Sequence, residues 1–244
     1  MTAPVFYAEL IRVSTGDRVE LAGDEGRHAA DVRRLQVGEP IDLTDGAGAM
    51  AHGVVAEARR GALVVEVHER VEVPRPAPTL TVVQALAKGG RDEAAVEAMT
   101  EIGVDEVIGW SASRSVARWT DRTETKWRNV TRAAAKQSRR VWWPTITGPA
   151  STAAVADRCR RAALAVVLHE AATEPLANLT LPPDGEVVVV VGPEGGLTAE
   201  ELATLAAAGA PAVRLGDTVL RSSTAGVAAL AAICAATRWR QPKP

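Results

Sequence analysis

The sequence predicts a two-part chain, a small β-barrel followed by an α/β domain with a parallel sheet, and three observations carry that reading. First, Val73-Pro74-Arg75-Pro76-Ala77-Pro78 places proline at every second position. Each ring fixes φ and removes an N–H donor, which excludes helix, blocks strand pairing and favours an extended linker. Second, the segment before it holds short β-type runs separated by turn dipeptides. Third, the segment after it alternates apolar strands with helical patterns and contains five consecutive valines, Val187 to Val191. The expected boundaries are a barrel over 1–73, a linker over 74–78 and an α/β domain over 79–244.

In the barrel, Ile41-Asp42-Leu43, Gly53-Val54-Val55 and Leu63-Val64-Val65-Glu66-Val67 read as strands, with Asp45-Gly46 and Arg60-Gly61 as hairpin turns. A short helix over about residues 26–35 interrupts them and carries Arg27, His28, Arg33 and Arg34. Beyond the linker, residues 80–86 read as strand, 93–102 as helix, 104–108 as strand and 162–168 as strand. The valine run shows no polar alternation, as expected of a central strand covered on both faces. Helix 198–208 follows, with Thr198 as N-cap, Glu201 completing a capping box and Gly209 as its stop. Residues 225–237 carry no charge and read as a core helix, too short to cross a bilayer hydrocarbon layer of about 30 Å.

With 244 residues, 47% hydrophobic and 24% charged, the chain has the make-up of a folded globular protein, which excludes disorder. Its two cysteines, Cys159 and Cys234, lack metal-ligand spacing, so neither a disulfide framework nor a metal site is expected. The start, Met1 to Val13, has no secretory pattern. A cytoplasmic protein without membrane attachment is expected. The net charge of −2 conceals a basic segment: from Arg114 to Arg140 nine Lys or Arg residues face two acids, a local charge of +7.

The sharpest motif is Gly192-Pro193-Glu194-Gly195-Gly196, between the valine strand and the capped helix. Glycines there let backbone groups approach a ligand, and the C-terminal end of a parallel strand is where ligands bind in open sheets. The alternative is a tight strand-to-helix turn. The loop lacks both the Lys-Ser/Thr ending of a P-loop and the spacing of a dinucleotide fingerprint. In a second loop, Leu215-Gly216 ends a short strand, and Ser222, Ser223 or Thr224 is placed to cap the final helix. Arg221 stands just before that helix, an unfavourable place for a cation, which points to a role on an anion or carbonyl, and a solvated arginine is the alternative. Along a third feature, Arg128, Arg132, Lys136 and Arg140 recur every four residues, and only Glu124 offers an opposite neighbour. A phosphate polyanion would offset that repulsion, and a merely solvated face is the alternative. Trp110, Trp119, Trp127, Trp142 and Trp143 lie in or beside this segment, as stacking platforms or as buried anchors.

The ordered set of segments resembles the 16S ribosomal RNA (uracil-N3)-methyltransferase family of the SPOUT, or α/β-knot, class. Matching segments are Thr100 to Val104 with Arg114-Ser115, Gln137-Ser138-Arg139 with Pro144, Gly192 to Gly196, Leu215-Gly216, Leu220-Arg221 and Thr224-Ala225. The resemblance implies a PUA-like barrel, a C-terminal trefoil knot, a homodimer, S-adenosylmethionine as cofactor and 16S ribosomal RNA, in the assembled small subunit, as partner. It implies cofactor contacts at Leu168, His169 and Glu170, at Gly192, Pro193, Glu194, Gly195 and Gly196, and at Leu215, Gly216, Val219, Leu220 and Thr224. Arg221 is the first catalytic candidate and Arg139 the alternative, with Glu194 orienting them. RNA contacts are expected at Arg27, Arg33, Arg34, Arg114, Arg128, Arg132, Lys136, Arg139 and Arg140. The chain departs from the family at Ser223, where a glutamate is usual, and at Lys136, Ala98 and Val5. Two rival readings are an α/β enzyme that binds a nucleotide phosphate on the Gly192 loop and a non-catalytic RNA-binding protein.

Overall fold

The structure, a computed structural model, describes residues 3–87 and 90–240. Two compact units are present: residues 1–75 together with 135–143, and residues 76–134 together with 144–244.

The first unit is a curled five-stranded sheet in the order β1-β3-β4-β5-β2. Its strands are β1 (Val5–Tyr7), β2 (Arg18–Leu21), β3 (Pro40–Thr44), β4 (Ala49–Arg59) and β5 (Ala62–Glu72). Both expected turns are present: Asp45-Gly46 lies between β3 and β4, and Arg60-Gly61 between β4 and β5, each joining an antiparallel pair. Alternation places Ile41, Leu43, Leu63, Val65 and Val67 in one core with Phe6 and Leu10. The helix expected near 26–35 begins earlier and is of two kinds. It starts at α1 (Gly23–Arg27) and widens into a π-helical turn, His28–Val32, where the Arg33 N–H reaches the His28 carbonyl five residues back at 2.9 Å.

The second unit carries six parallel strands in the order β11-β9-β10-β6-β7-β8. They are β6 (Thr79–Ala85), β7 (Glu106–Trp110), β8 (Thr145–Ala150), β9 (Leu164–Leu168), β10 (Glu186–Val191) and β11 (Ala212–Val213). Five helices connect or cover them: α2 (Arg91–Ile102), α3 (Asp121–Gln137), α4 (Thr152–Arg161), α5 (Ala199–Ala207) and α6 (Ser222–Ala236). The valines of β10 are buried on both faces. Val187, Val189 and Val191 join a core with α2 and α6, whereas Val188 and Val190 join one with α4 and α5. Burying such a side chain fully is worth about 1.5–3 kcal/mol relative to exposure, so this strand anchors both layers.

Among the differences from expectation, two have clear local reasons. The strand expected to start at Val104 starts at Glu106, because the Val104 N–H still closes α2 on the Met99 carbonyl and the Asp105 carboxylate accepts the Leu80 N–H at 2.7 Å. None of Ser222, Ser223 and Thr224 caps α6. The N-cap is Arg221, whose backbone carbonyl accepts the N–H groups of Thr224 and Ala225, and no side chain caps that end.

Candidate active site

Strands β9, β10 and β11 run parallel, so they end on one side of the sheet, and the loops that follow them enclose a cavity. Its volume is about 450 Å³, within the roughly 300–1,000 Å³ typical of small-molecule sites. Leu168 ends β9, His169 and Glu170 come from the loop after it, and Val191 and the run from Gly192 to Leu197 come from the end of β10 onward. Val219, Leu220, Ser222, Ala225 and Arg114 complete the wall. A second recess of about 90 Å³ shares Leu168, His169, Glu170, Val219, Leu220 and Ala225 and adds the run from Arg214 to Thr218.

Local chemistry explains the Gly192 loop. Gly196 has φ of +71°, a left-handed conformation that favours glycine, and its N–H closes a turn on the Pro193 carbonyl at 2.9 Å. The expected ligand loop is thus also a tight turn. At Gly195 a Cβ would stand 3.2 Å from the Arg114 Cβ. Arg114 holds the loop from the other side, its Nη1 donating to the Gly195 carbonyl at 3.1 Å and to the Leu197 carbonyl at 3.4 Å. Next along the chain the capping box forms as expected, with Thr198 and Glu201 satisfying each other's backbone N–H groups. Glu201 Oε1 also accepts the Ser113 N–H at 2.8 Å. Burial pushes the Glu201 carboxyl up, but the hydrogen bonds from Ser113 and Thr198 outweigh it and hold the group below the ordinary glutamate range.

Every residue expected to touch a cofactor lines this cavity or its recess except Thr224, which is exposed on the first turn of α6. In the cavity wall Val191, Leu197, Ser222 and Ala225 escaped the sequence reading as ligand contacts, and in the recess Arg214, Asp217 and Thr218 did. Ser222 matters most, because its Oγ is buried and has no hydrogen-bond partner among the described residues. A buried hydroxyl without a partner costs free energy that a bound polar group recovers. Together with the apolar walls of Leu168, Val191, Leu197 and Leu220, it suits a ligand with apolar and polar parts, as S-adenosylmethionine has.

The catalytic candidates separate. Arg221 is exposed, its side chain makes no hydrogen bond or ion pair among the described residues, and both its neighbours, Leu220 and Ser222, line the cavity. Arg139 is exposed in the first unit, with φ of +57°, and is not among the lining residues. Glu194 lines the cavity, and its charged neighbour is Arg91, with Nη1 to Oε1 at 3.9 Å. Among the described residues no cluster of histidine, cysteine and acidic side chains has the arrangement of a metal site. Burial pushes the Cys159 thiol up to about 11, which makes it a core residue and not a nucleophile.

Several of the basic residues are engaged within the chain. Arg128 pairs with Glu124, Arg27 with Asp24, and Arg140 donates to the Trp142 carbonyl. Lys126 meets Glu93 at 2.6 Å, and Lys136 meets Glu25 at 2.9 Å with both side chains mostly buried. Glu124 is therefore not the only carboxylate facing the helix row, because Glu25, remote in sequence, also reaches it at Lys136. Arg132 is exposed, and Arg114 is occupied by the carbonyls of the glycine loop. Arg33, Arg34 and Arg139 are exposed, with side chains that form no ion pair among the described residues, and so are Arg118 and Arg122. Of the tryptophans, Trp110 and Trp127 are fully buried. Trp142 and Trp143 are half-buried anchors whose Nε1 atoms donate to the Val73 and Arg140 carbonyls.

Comparison with known proteins agrees with this geometry. Residues 74–234 match the model of an RNA methyltransferase domain, and residues 21–67 that of an RNA methyltransferase PUA domain. The chain is 46% identical to the ribosomal RNA small subunit methyltransferase E of Mycobacterium tuberculosis, over 98% of this chain and 94% of that protein. A Legionella pneumophila protein solved with bound SAM superposes with a TM-score of 0.85 at 25% identity, covering 97% of this chain and 99% of the other. A structure from Porphyromonas gingivalis described as a probable rRNA-methyltransferase gives 0.83 at 27% identity, over 98% and 100% of the two chains. With its PUA-like unit, its parallel α/β unit and a cavity at the strand ends, the chain belongs to the ribosomal RNA small subunit methyltransferase E family, of the SPOUT class.

Proposed function

We propose that this family member transfers a methyl group from S-adenosylmethionine to N3 of one uridine in 16S ribosomal RNA of the assembled small subunit. The observation that carries the reading is the Ser222 hydroxyl, buried without a partner in a cavity that also offers apolar walls and bare loop backbone. S-adenosylmethionine supplies an electrophilic methyl group on a sulfonium. The chain's own residues have two tasks. Gly192 to Gly196, Leu168 to Glu170 and Leu215 to Leu220 bind and orient the cofactor through backbone and apolar contacts. Arg221, beside the cavity and without an ion pair among the described residues, stabilises the uracil imide anion, whose charge lies on O2 and O4, formed as N3 gives its proton to solvent water.

The barrel over 1–73 binds RNA through Arg33 and Arg34, and the domain over 79–244 carries the transfer. A homodimer forms through α6: Ala232, Ala235 and Ala236 are exposed, and the helix bears no charge between Ser222 and Ala236. An apolar cleft of about 180 Å³ lies beside them, lined by Leu176, Leu179, Leu181 and Ile233. No helix among the described residues is long and apolar enough to cross a membrane, and the proposed place of action is the cytoplasm.

Isothermal titration with S-adenosylmethionine and, separately, with a nucleoside triphosphate tests the reading. The expected result is saturable binding of the first and none of the second. Binding of the triphosphate alone favours a nucleotide-phosphate enzyme, and RNA affinity with no cofactor binding favours a non-catalytic RNA-binding protein.

A further inference from the structure

A second cleft lies on the far side of the loop that carries Arg114. Its volume is about 370 Å³, again in the roughly 300–1,000 Å³ range of small-ligand sites. Its walls are Ser111, Ser115, Arg118, Trp119 and Pro149, with two alanines between them. The seat of Trp119 is specific. A Cβ on Gly109 would stand 2.1 Å from the indole, and one on Gly148 would stand 3.2 Å from it, so both strands bare their backbone where the ring lies. The β7–β8 register also shifts between Ile108 and Trp110, around Gly109. The edge of the ring packs on Trp127 at 5.1 Å between centroids. Even so, Trp119 remains partly exposed, whereas Trp110 and Trp127 are completely buried. Part of the indole is thus left as a wall of the cleft. Beside it Arg118 is exposed with no hydrogen bond or ion pair among the described residues, and Ser115 Oγ is buried without a partner.

An aromatic surface with a free guanidinium next to it is the arrangement that holds single-stranded nucleic acid, the base on the ring and the phosphate on the cation. The loop links this cleft to the first one. Arg114 lines the cavity at the strand ends while Ser115, the next residue, lines the cleft, and Arg114 is tied to the Gly195 and Leu197 carbonyls. One loop thus borders both the cavity and the cleft.

We propose that the Ser111–Trp119 cleft is a subsite for one unpaired ribonucleotide flanking the uridine that is methylated, with its base stacked on Trp119 and its phosphate on Arg118. The proposal rests on the methyltransferase reading above and extends it to a choice of RNA context.

The test measures the affinity of a short unstructured oligouridylate for the full chain by fluorescence anisotropy, across a salt series, with S-adenosylmethionine affinity measured in parallel. Arg118→Ala removes an exposed, unpaired side chain. It should weaken the oligonucleotide by about tenfold and lower the log–log salt slope by about 0.7, the value for one phosphate on a single strand. Trp119→Leu should weaken it by about five- to a hundredfold, as expected for one lost stacking platform, and Trp119→Phe should recover most of the loss. Cofactor affinity should stay within twofold in all three. Should Trp119→Leu fail to fold, Arg118→Ala still decides the matter. Wild-type oligonucleotide affinity and salt slope in Arg118→Ala would overturn the subsite. Absence of any cofactor binding by the wild-type chain would instead overturn the underlying reading, leaving the oligonucleotide result to stand by itself.

Discussion

Glu201 Oε1 accepts the backbone N–H of Ser113 at 2.8 Å, while Oε2 of the same carboxylate accepts the Thr198 N–H at 2.9 Å. One buried group thus caps α5 and fixes the loop after β7 that bears Arg114. Glu201→Ala leaves both donors unsatisfied and should lower stability by about 1–3 kcal/mol in chemical denaturation. The sign of the pH effect follows from the depressed carboxyl. Its contribution is fully present above the unfolded glutamate value near 4.3 and is lost as pH falls through the lower folded value. The wild type should therefore lose more stability on acidification below about pH 4.3 than Glu201→Gln does. Parallel acid profiles for the two proteins would remove this role.

Ser222 gives a prediction in which two readouts move differently. Removing a buried hydroxyl that lacks a partner relieves a desolvation cost, so Ser222→Ala should melt at the wild-type temperature or slightly above it without ligand. With S-adenosylmethionine the variant should bind about three- to tenfold more weakly, the size of one ordinary hydrogen bond. Thermal shift with and without ligand checks both. Full ligand-induced stabilisation in Ser222→Ala would show that the hydroxyl finds no partner on the cofactor.

Arg221 lies between two lining residues and its side chain has no partner among the described residues, so its loss should affect chemistry more than folding. Single-turnover methylation by Arg221→Ala should slow by about a hundredfold or more, as for one lost electrostatic donor, with cofactor affinity little changed. Raising pH should partly restore the rate, because more of the uracil is then already deprotonated. Arg221→Lys keeps the charge but not the planar fork and should fall between. A near-normal rate in Arg221→Ala would move the role elsewhere.

Lys136 tests how far a basic row in sequence translates into RNA contacts. Its ammonium is bound to Glu25, and the other oxygen of that carboxylate accepts the Tyr7 N–H at 3.2 Å. Lys136→Ala should therefore cost about 1.5–3 kcal/mol of stability, as for a hydrogen bond to a charged group, and leave the salt slope of RNA binding unchanged. Arg33→Ala with Arg34→Ala should do the reverse, lowering the slope by about one per lost phosphate contact. Equal slopes in the wild type and the Arg33/Arg34 variant would exclude these residues from the RNA surface.

The residues that announced themselves in sequence did so through local rules. The valine run marked β10 because five adjacent β-branched residues favour a strand and, without polar alternation, one covered on both faces, and Thr198 with Glu201 marked the start of α5 through a motif four residues long. The Gly192 loop was legible for the same reason, being the break between those two elements. The pairing of Lys136 with Glu25 and of Lys126 with Glu93 was not, because each partner is remote along the chain and arrives only through folding. Ser222 looked like a helix cap in sequence. Its value as an unpartnered hydroxyl depends on which atoms surround it, and spacing does not record that.

The most direct test of the central claim incubates the protein with S-adenosylmethionine and small ribosomal subunits that lack its modification, then digests the RNA and separates the nucleosides by mass spectrometry. The expected product is 3-methyluridine in 16S RNA, one per subunit, dependent on both protein and cofactor. Recovery of unmodified RNA, or of a methyl group on another atom, would contradict it.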